Sequence, residues 1–319
     1  MDALRGGWGF EAITAEYAPV GFGSYHWIVA DRGGLKRFVT VDDLDAKAWL
    51  GDLREERLDG LRAAFATAAS LRDAGLEFVV APLATRSGIH LEQLDERHTV
   101  ALFPFLEGEA GEWGPFDDEG RRGVVELLAE LHAPTAPRTV RSIGFALSGR
   151  AHLEAALRER ETEWSGGPFA EPTRAAIRSF AGELADLLDL ADRLAAEAQA
   201  RSARRVVTHG EPHRGNAIRT DDGYVLVDWD TVALAPPERD LWFVVEEGTD
   251  AADRYEDATG HRVDETAIDY FRLTWDMKDL AEYLNVLRAP HEENVDTLQM
   301  YGAVTRFPDV HGQWASRIA

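Results

Sequence analysis

The sequence predicts an α+β protein in which a small antiparallel sheet precedes a larger helical region. Three features carry the prediction. Residues 13–41 place β-branched and aromatic runs between glycine turns, as strands do. From about residue 118 the apolar residues recur at helical spacing. The glycine-rich stretch FLEGEAGEWGPFDD separates the two patterns. This division gives an N-terminal lobe at residues 1–106 and a helical C-terminal lobe at 107–319, in keeping with about 150 residues per domain.

The elements follow in order. ITAEYAPV, the turn GFGS and YHWIVAD read as two strands, and LKRFVTV after DRGG as a third. Arg54 to Ala74 reads as a helix, with Leu58, Leu61, Phe65, Ala68, Ala69 and Leu71 on one face and Gly75 as its stop. LEFVVAPL, SGIHLEQL and HTVALFPFL complete the predicted sheet. Helices are then predicted over Asp118–His132, Thr173–Ala198, Asp264–Leu287 and Glu292–Arg306. Between Ala203 and Val232 the pattern switches to strand–loop–strand, with DDG as the turn.

Composition narrows the function. The formal net charge is −23, which argues against a nucleic-acid backbone or an anionic membrane as the main partner. It suits a cationic small molecule, and equally a surface that is acidic for solubility. The chain has no cysteine, so disulfides, thiolate catalysis and cysteine-ligated metals are excluded. No apolar run approaches the roughly 18 residues of a membrane span, and MDALRGGWGFEAIT lacks the apolar centre of a signal peptide. The expectation is a cytoplasmic protein; its oligomeric state is not legible. Lysine occurs only at Lys36, Lys47 and Lys278.

The chemistry sits in His209-Gly210-Glu211-Pro212-His213-Arg214-Gly215-Asn216 and the later Leu226-Val227-Asp228-Trp229-Asp230. A carboxylate stands five positions before an asparagine, and a second carboxylate follows a hairpin strand twelve positions on. Phosphoryl transfer asks for this set: an anion to orient the attacking hydroxyl, and an amide oxygen plus a carboxylate to hold magnesium on nucleotide phosphates. A zinc site at His209 and His213 is disfavoured, because Pro212 and Gly215 argue for a loop instead of a helix presenting both rings.

With these motifs the chain resembles the aminoglycoside phosphotransferase family, small-molecule kinases with a two-lobed, protein-kinase-like fold. VELLAELHAPT, APPERDLWFV and YFRLTWDMKDLAEYL resemble further segments of that family, so the likeness runs from about Ala18 to about Leu287. The resemblance implies Glu211 as the catalytic carboxylate, His209 as a brace of the catalytic loop, and Asn216 and Asp228 as magnesium ligands. It implies Gly21, Phe22, Gly23 and Ser24 as the nucleotide-covering turn, and Pro104–Glu107 as the linker meeting the purine, with Phe105 packing nearby or serving the lobe core.

The chain departs from the family in three places. The catalytic aspartate is Glu211, one methylene longer. Thr40 stands where a lysine normally contacts the phosphates. Ala64 stands about where the lysine's glutamate partner belongs. Lys36, Lys47, Lys278, His26 and Arg37 are the candidates for the lost cation, and none stands out from the sequence; Thr40 itself can donate a hydroxyl.

On the acceptor side, Trp275, Asp276 and Asp279 suit an acidic, aromatic wall, or a core tryptophan beside a solvated face. Asp230 faces the substrate or braces the loop through a backbone N–H. The expected activity is magnesium-dependent transfer of the γ-phosphoryl group of ATP or GTP to a small-molecule alcohol, cationic or neutral, such as an antibiotic. The alternatives are a metabolite kinase acting on an amino alcohol or sugar, and a non-catalytic nucleotide-binding module suggested by Thr40 and Ala64.

Overall fold

The computed structural model describes residues 1–20, 24–133, 135–202 and 204–318. They form two compact units: Met1–Ile143 with Arg204–Val263, and Gly144–Ala203 with Asp264–Ala319. The division differs from the predicted cut after residue 106: the loop-and-hairpin segment 204–235 groups with residues 1–143, with Leu226 bonded to Phe78 and Val80 and Asp230 to Lys47.

The first unit opens with helix α1 (Asp2–Trp8). Strands β1 (Ala12–Ala18), β2 (Ser24–Asp31) and β3 (Lys36–Asp43) follow as an antiparallel meander. Two single 3₁₀ turns, Leu44–Ala46 and Ala48–Leu50, lead to α2 (Arg54–Asp73). Strands β4 (Glu92–Gln93) and β5 (His98–Pro104) complete a sheet of order β1-β2-β3-β5-β4.

Side chains alternate across β3. Val39 joins Leu4, Val29, Val100 and Leu102 on the face covered by α1. On the other face Ala101 and Phe103 pack with Leu58, Leu61 and Phe65 of α2. Fully burying a leucine or phenylalanine there contributes about 1.5–3 kcal/mol. The polar residues Ser24, His26, Thr40 and Asp42 link to one another at the β2–β3 edge of that second face.

LEFVVAPL is not the predicted sheet strand. Its Phe78 carbonyl accepts from the Leu226 N–H at 2.8 Å, and the Val80 N–H donates to the Leu226 carbonyl at 3.0 Å. The segment is therefore tied to the catalytic hairpin. SGIHLEQL contributes only the two residues of β4.

Next come β6 (Glu109–Ala110) and α3 (Asp118–Leu131), whose N-cap Asp117 accepts from the Gly120 N–H. The second unit begins with α4 (Arg150–Arg158), α5 (Ala170–Ser179) and α6 (Ala181–Arg201). The last two replace one predicted helix. Phe180 breaks it at φ −122°, ψ 27°, placing its buried ring 5.8 Å from that of Phe307.

The chain re-enters the first unit as β7 (Val206–Thr208), the hairpin β8 (Ala217–Thr220) and β9 (Gly223–Leu226), β10 (Ala233–Ala235), α7 (Glu238–Leu241) and α8 (Ala251–Thr259). Helices α9 (Glu265–Arg288), α10 (Val295–Thr305) and α11 (Phe307–Ile318) complete the second unit. Its core joins Leu184, Leu187 and Leu194 of α6 to Leu273, Met277 and Leu280 of α9. Among the described residues no helix is long and apolar enough to cross a membrane.

Candidate active site

The loop after β7 is held from below by Asp240. Its carboxylate accepts the backbone N–H groups of His209 at 2.8 Å and Gly210 at 2.6 Å, and the His132 Nε2–H at 3.1 Å. With that proton on Nε2, His132 Nδ1 accepts from the Tyr255 hydroxyl at 2.7 Å. Burial alone would raise the Asp240 carboxyl; the His132 hydrogen bond and nearby cationic groups outweigh it and hold it below the usual range. Arg239 completes the support, donating to Thr208 Oγ1 and to the Thr231 carbonyl. Gly210 has φ +102°, and a Cβ there would lie 2.2 Å from Arg239 Nη2, so only glycine fits.

His209 is fully buried and works inside the loop. Its Nε2–H donates to the Val227 carbonyl at 2.8 Å, while Nδ1 accepts the Glu211 N–H at 3.2 Å. Both nitrogens are engaged by a neutral ring, and burial lowers its pKa accordingly. His209 thus links the loop to the strand end that carries Asp228. His213 spends Nδ1 on the Gly215 N–H, and burial pushes its pKa down to about 4.

Asn216 donates its Nδ2–H to the Glu211 carbonyl at 3.0 Å, and its own carbonyl accepts the Val227 N–H at 3.0 Å. The first bond fixes the amide from its Nδ2 side. Asp228 adopts φ +65°, the left-handed region that Asp and Asn tolerate better than most residues. Buried Trp229 anchors the turn by donating Nε1–H to the Leu226 carbonyl.

The Asp228 side chain keeps solvent access, yet its carboxyl is raised well above the usual range. Desolvation by surrounding protein contributes most, followed by the charge of Asp230; Glu211 and Asp42 add to it, and Lys47 opposes. We attribute the shift to this crowding of carboxylates in a recess, not to complete exclusion of water. Such an excess of negative charge, with oxygen donors at Asn216 and Asp228, fits a hard divalent cation. Among the described residues no three His, Asp or Glu side chains converge as a metal site by themselves, so phosphate and water oxygens would complete the shell.

Among the candidate cations, Lys47 is the one bonded to Asp230. Its ammonium lies 2.6 Å from Asp230 Oδ2 and 3.0 Å from Asp42 Oδ1, with all three side chains buried. Burial would lower the lysine's pKa; Asp230, Asp42 and Asp228 reverse that and raise it. Thr40 is buried and bonded to His26 at 3.2 Å, and Ala64 is core. A buried cation–carboxylate pair thus stands beyond the strand end, with none at positions 40 and 64. Asp230, predicted to face substrate or take a backbone N–H, instead receives this ammonium. Lys36 lies over the Phe105 ring, 5.0 Å from its centroid.

The remaining predicted residues divide by location. Gly21, Phe22 and Gly23 lie outside the described residues, whereas Ser24 opens β2 and donates to Asp42 Oδ1 at 2.8 Å. Trp275, Asp276 and Asp279 belong to α9 in the second unit. There Lys278 lies over the Trp275 ring, and burial pushes the Asp276 carboxyl up to about 6. Sequence reading passed over Asp42 and the bracing roles of His132 and Arg239. Asp42 was visible as a carboxylate two residues beyond Thr40, hence on the same face of the strand.

A family model for APH, the phosphotransferase enzyme family, matches residues 31–283. The chain belongs to this family. A curated relative, Protein StrN of Streptomyces griseus, is 29% identical over 276 residues, covering 83% of this chain and 82% of StrN. Among solved structures, spectinomycin phosphotransferase APH(9)-Ia in complex with ADP and spectinomycin has a TM-score of 0.75 at 18% identity, covering 100% of this chain and 97% of that one. The amicoumacin kinase hAmiN, in complex with AMP-PNP, Ca2+ and Ami, has a TM-score of 0.58 at 11% identity, covering 98% and 92%. The family's protein-kinase-like fold, an antiparallel N-terminal sheet with a helical C-terminal region, is the fold of this chain.

Proposed function

We propose that this chain transfers the γ-phosphoryl group of ATP or GTP, with magnesium, to a hydroxyl of a small molecule, an antibiotic or a similar natural product. The observation that carries the reading is the convergence of Glu211, Asn216 and Asp228 on one braced loop-and-hairpin, with the Lys47 ammonium bonded to Asp230 beside them. A non-catalytic binding module has no use for such a set. The nucleotide in the spectinomycin and amicoumacin enzymes supports the donor assignment.

Glu211 receives the proton of the acceptor hydroxyl and orients its oxygen, a role worth typically about 10²–10⁴-fold. Its position is set through its own N–H on His209 and its carbonyl on Asn216. Lys47 supplies the cation for phosphate oxygens, with Asp42 as its anchor on the sheet. Ser24, in the predicted nucleotide-covering turn, holds that anchor in turn. Asn216 Oδ1 and the Asp228 carboxylate would hold magnesium, which neutralises phosphate charge and orients the transferred group. Asp240, His132, Arg239 and His209 move no proton; they keep the loop in one geometry.

The test is a panel of antibiotics and small amino alcohols, each incubated with magnesium and ATP or GTP and followed by nucleotide consumption and mass gain of the acceptor. At least one alcohol should gain a phosphate in wild type and none in Asp228→Ala. Nucleotide binding without transfer to any acceptor would leave only the binding module.

A further inference from the structure

The segment between α3 and α4 runs along β10 and presents a cation that no role above uses. The Arg141 carbonyl accepts the Leu234 N–H at 2.7 Å, and the Ile143 N–H donates to the Leu234 carbonyl at 3.1 Å. Ser142 and Leu234 form a parallel bridge. Arg141 is thus pinned at the backbone immediately beyond Asp230 and Thr231. Further back on the same segment, the Thr139 hydroxyl lies 2.9 Å from that of Thr67 on α2. The Arg141 side chain is therefore delivered from a fixed base.

That side chain is half-buried, and its Nε is shielded from solvent with no hydrogen-bond partner among the described residues. The charge of Asp230 acts on it, and Asp230 already receives Lys47 at 2.6 Å. Arg239 is spent on Thr208 and Thr231, and the charges acting on it are Asp240 first, then Glu211, Arg141 and Asp230. Desolvation lowers the Arg141 pKa. A buried cationic N–H without an acceptor is costly, and native structures seldom keep one without use. What is missing is an oxyanion.

We propose that Arg141 is a second cation of the phosphotransfer centre, after Lys47, and that its ligand is an oxygen of the phosphoryl group being transferred. The inference rests on the phosphotransferase reading above. Arginine suits the task because its planar fork meets phosphate oxygens with paired, charge-assisted hydrogen bonds. Arg141 is carried by the segment along β10 and Lys47 by the turn after β3, so the two cations come from different elements.

The test uses the full chain and needs no acceptor. Calorimetry measures the affinity of wild type, Arg141→Gln and Arg141→Lys for magnesium·ADP, for magnesium·ADP with fluoroaluminate as the phosphoryl mimic, and for magnesium·AMP-PNP. Fluoroaluminate should tighten ADP binding in wild type. Arg141→Gln should lose about 10- to 100-fold of that tightening, as for a charge-assisted hydrogen bond, while binding ADP alone normally. Arg141→Lys should recover part of it. A parallel loss for AMP-PNP would place the contact on the bound γ-phosphate; loss for fluoroaluminate alone would place it on the group in flight. Equal tightening in wild type and Arg141→Gln would overturn the proposal. So would an equal loss of ADP affinity in Arg141→Gln and Arg141→Lys. A wild type that binds no magnesium nucleotide would overturn the phosphotransferase reading itself.

Discussion

Replacing Lys47 by methionine removes the ammonium shared by two buried carboxylates and keeps most of the side chain's volume. The ammonium sits 2.6 Å from Asp230 and 3.0 Å from Asp42, and these side chains are 8% and 2% exposed. Asp42 Oδ2 has no hydrogen-bond partner among the described residues, so losing Lys47 leaves that carboxylate with Ser24 alone. Breaking a buried pair from one side costs about 3–5 kcal/mol. For domains of about 150–250 residues each kcal/mol moves Tm by about 2–4 °C, so Tm should fall by roughly 6–20 °C.

Lys47→Met with Asp230→Asn should lose less than the sum of the single variants, since neutralising both sides removes the stranded charge. Because the lysine's folded pKa lies above its unfolded value, its contribution is complete below the unfolded value of about 10.4 and is lost only as pH rises through the folded pKa. The deficit should therefore be constant between pH 6 and 9. Thermal unfolding and urea titration across that range are the assays. A Lys47→Met protein that melts like wild type would show that the buried pair is not formed in solution and would refute the reasoning.

Three further outcomes follow from the same geometry. Asp228→Asn keeps a residue type that tolerates φ +65° and removes a carboxylate raised by crowding; it should abolish phosphoryl transfer yet raise Tm in metal-free buffer, the gain growing with pH above the carboxyl's unfolded value of about 3.9, as differential scanning calorimetry would show. Gly210→Ala places a Cβ against Arg239 at a left-handed position, so kcat should drop by about 10²-fold or more as the catalytic carboxylate is displaced, with magnesium·ADP affinity less affected. Burial pushes the Asp276 carboxyl up to about 6, which costs stability as pH rises from its unfolded value of about 3.9, so Asp276→Asn should raise Tm by an amount that grows up to about pH 6 and then levels off, as calorimetry from pH 4 to 8 would show.

The local sequence carried much of this structure. The helices over 118–131 and 265–288 and the strands around GFGS follow from apolar period and turn residues, and the catalytic octet follows from residue type and spacing. What escaped depends on distant partners. Lys47 lies in a short turn with no periodic signal, and its main partner is 183 positions away. Thr40 directed attention to the strand, whereas the cation sits where the chain leaves it. The break at Phe180 escaped because the apolar rhythm continues across it, and the break is imposed by packing on Phe307. Asp240 was read as one residue of a resembling stretch; its bonds to two loop N–H groups appear only when α7 is folded under the loop.

The most direct test of the central claim is a single-turnover comparison of wild type and Glu211→Gln, following the γ-phosphorus of magnesium·ATP by 31P NMR with an acceptor from the panel. The glutamine keeps the shape of the side chain and removes the anion. The account predicts a phosphoester signal that forms about 10²–10⁴-fold more slowly in the variant, with nucleotide affinity retained. A variant that forms the phosphoester at the wild-type rate would contradict it, leaving Glu211 a structural residue of the loop.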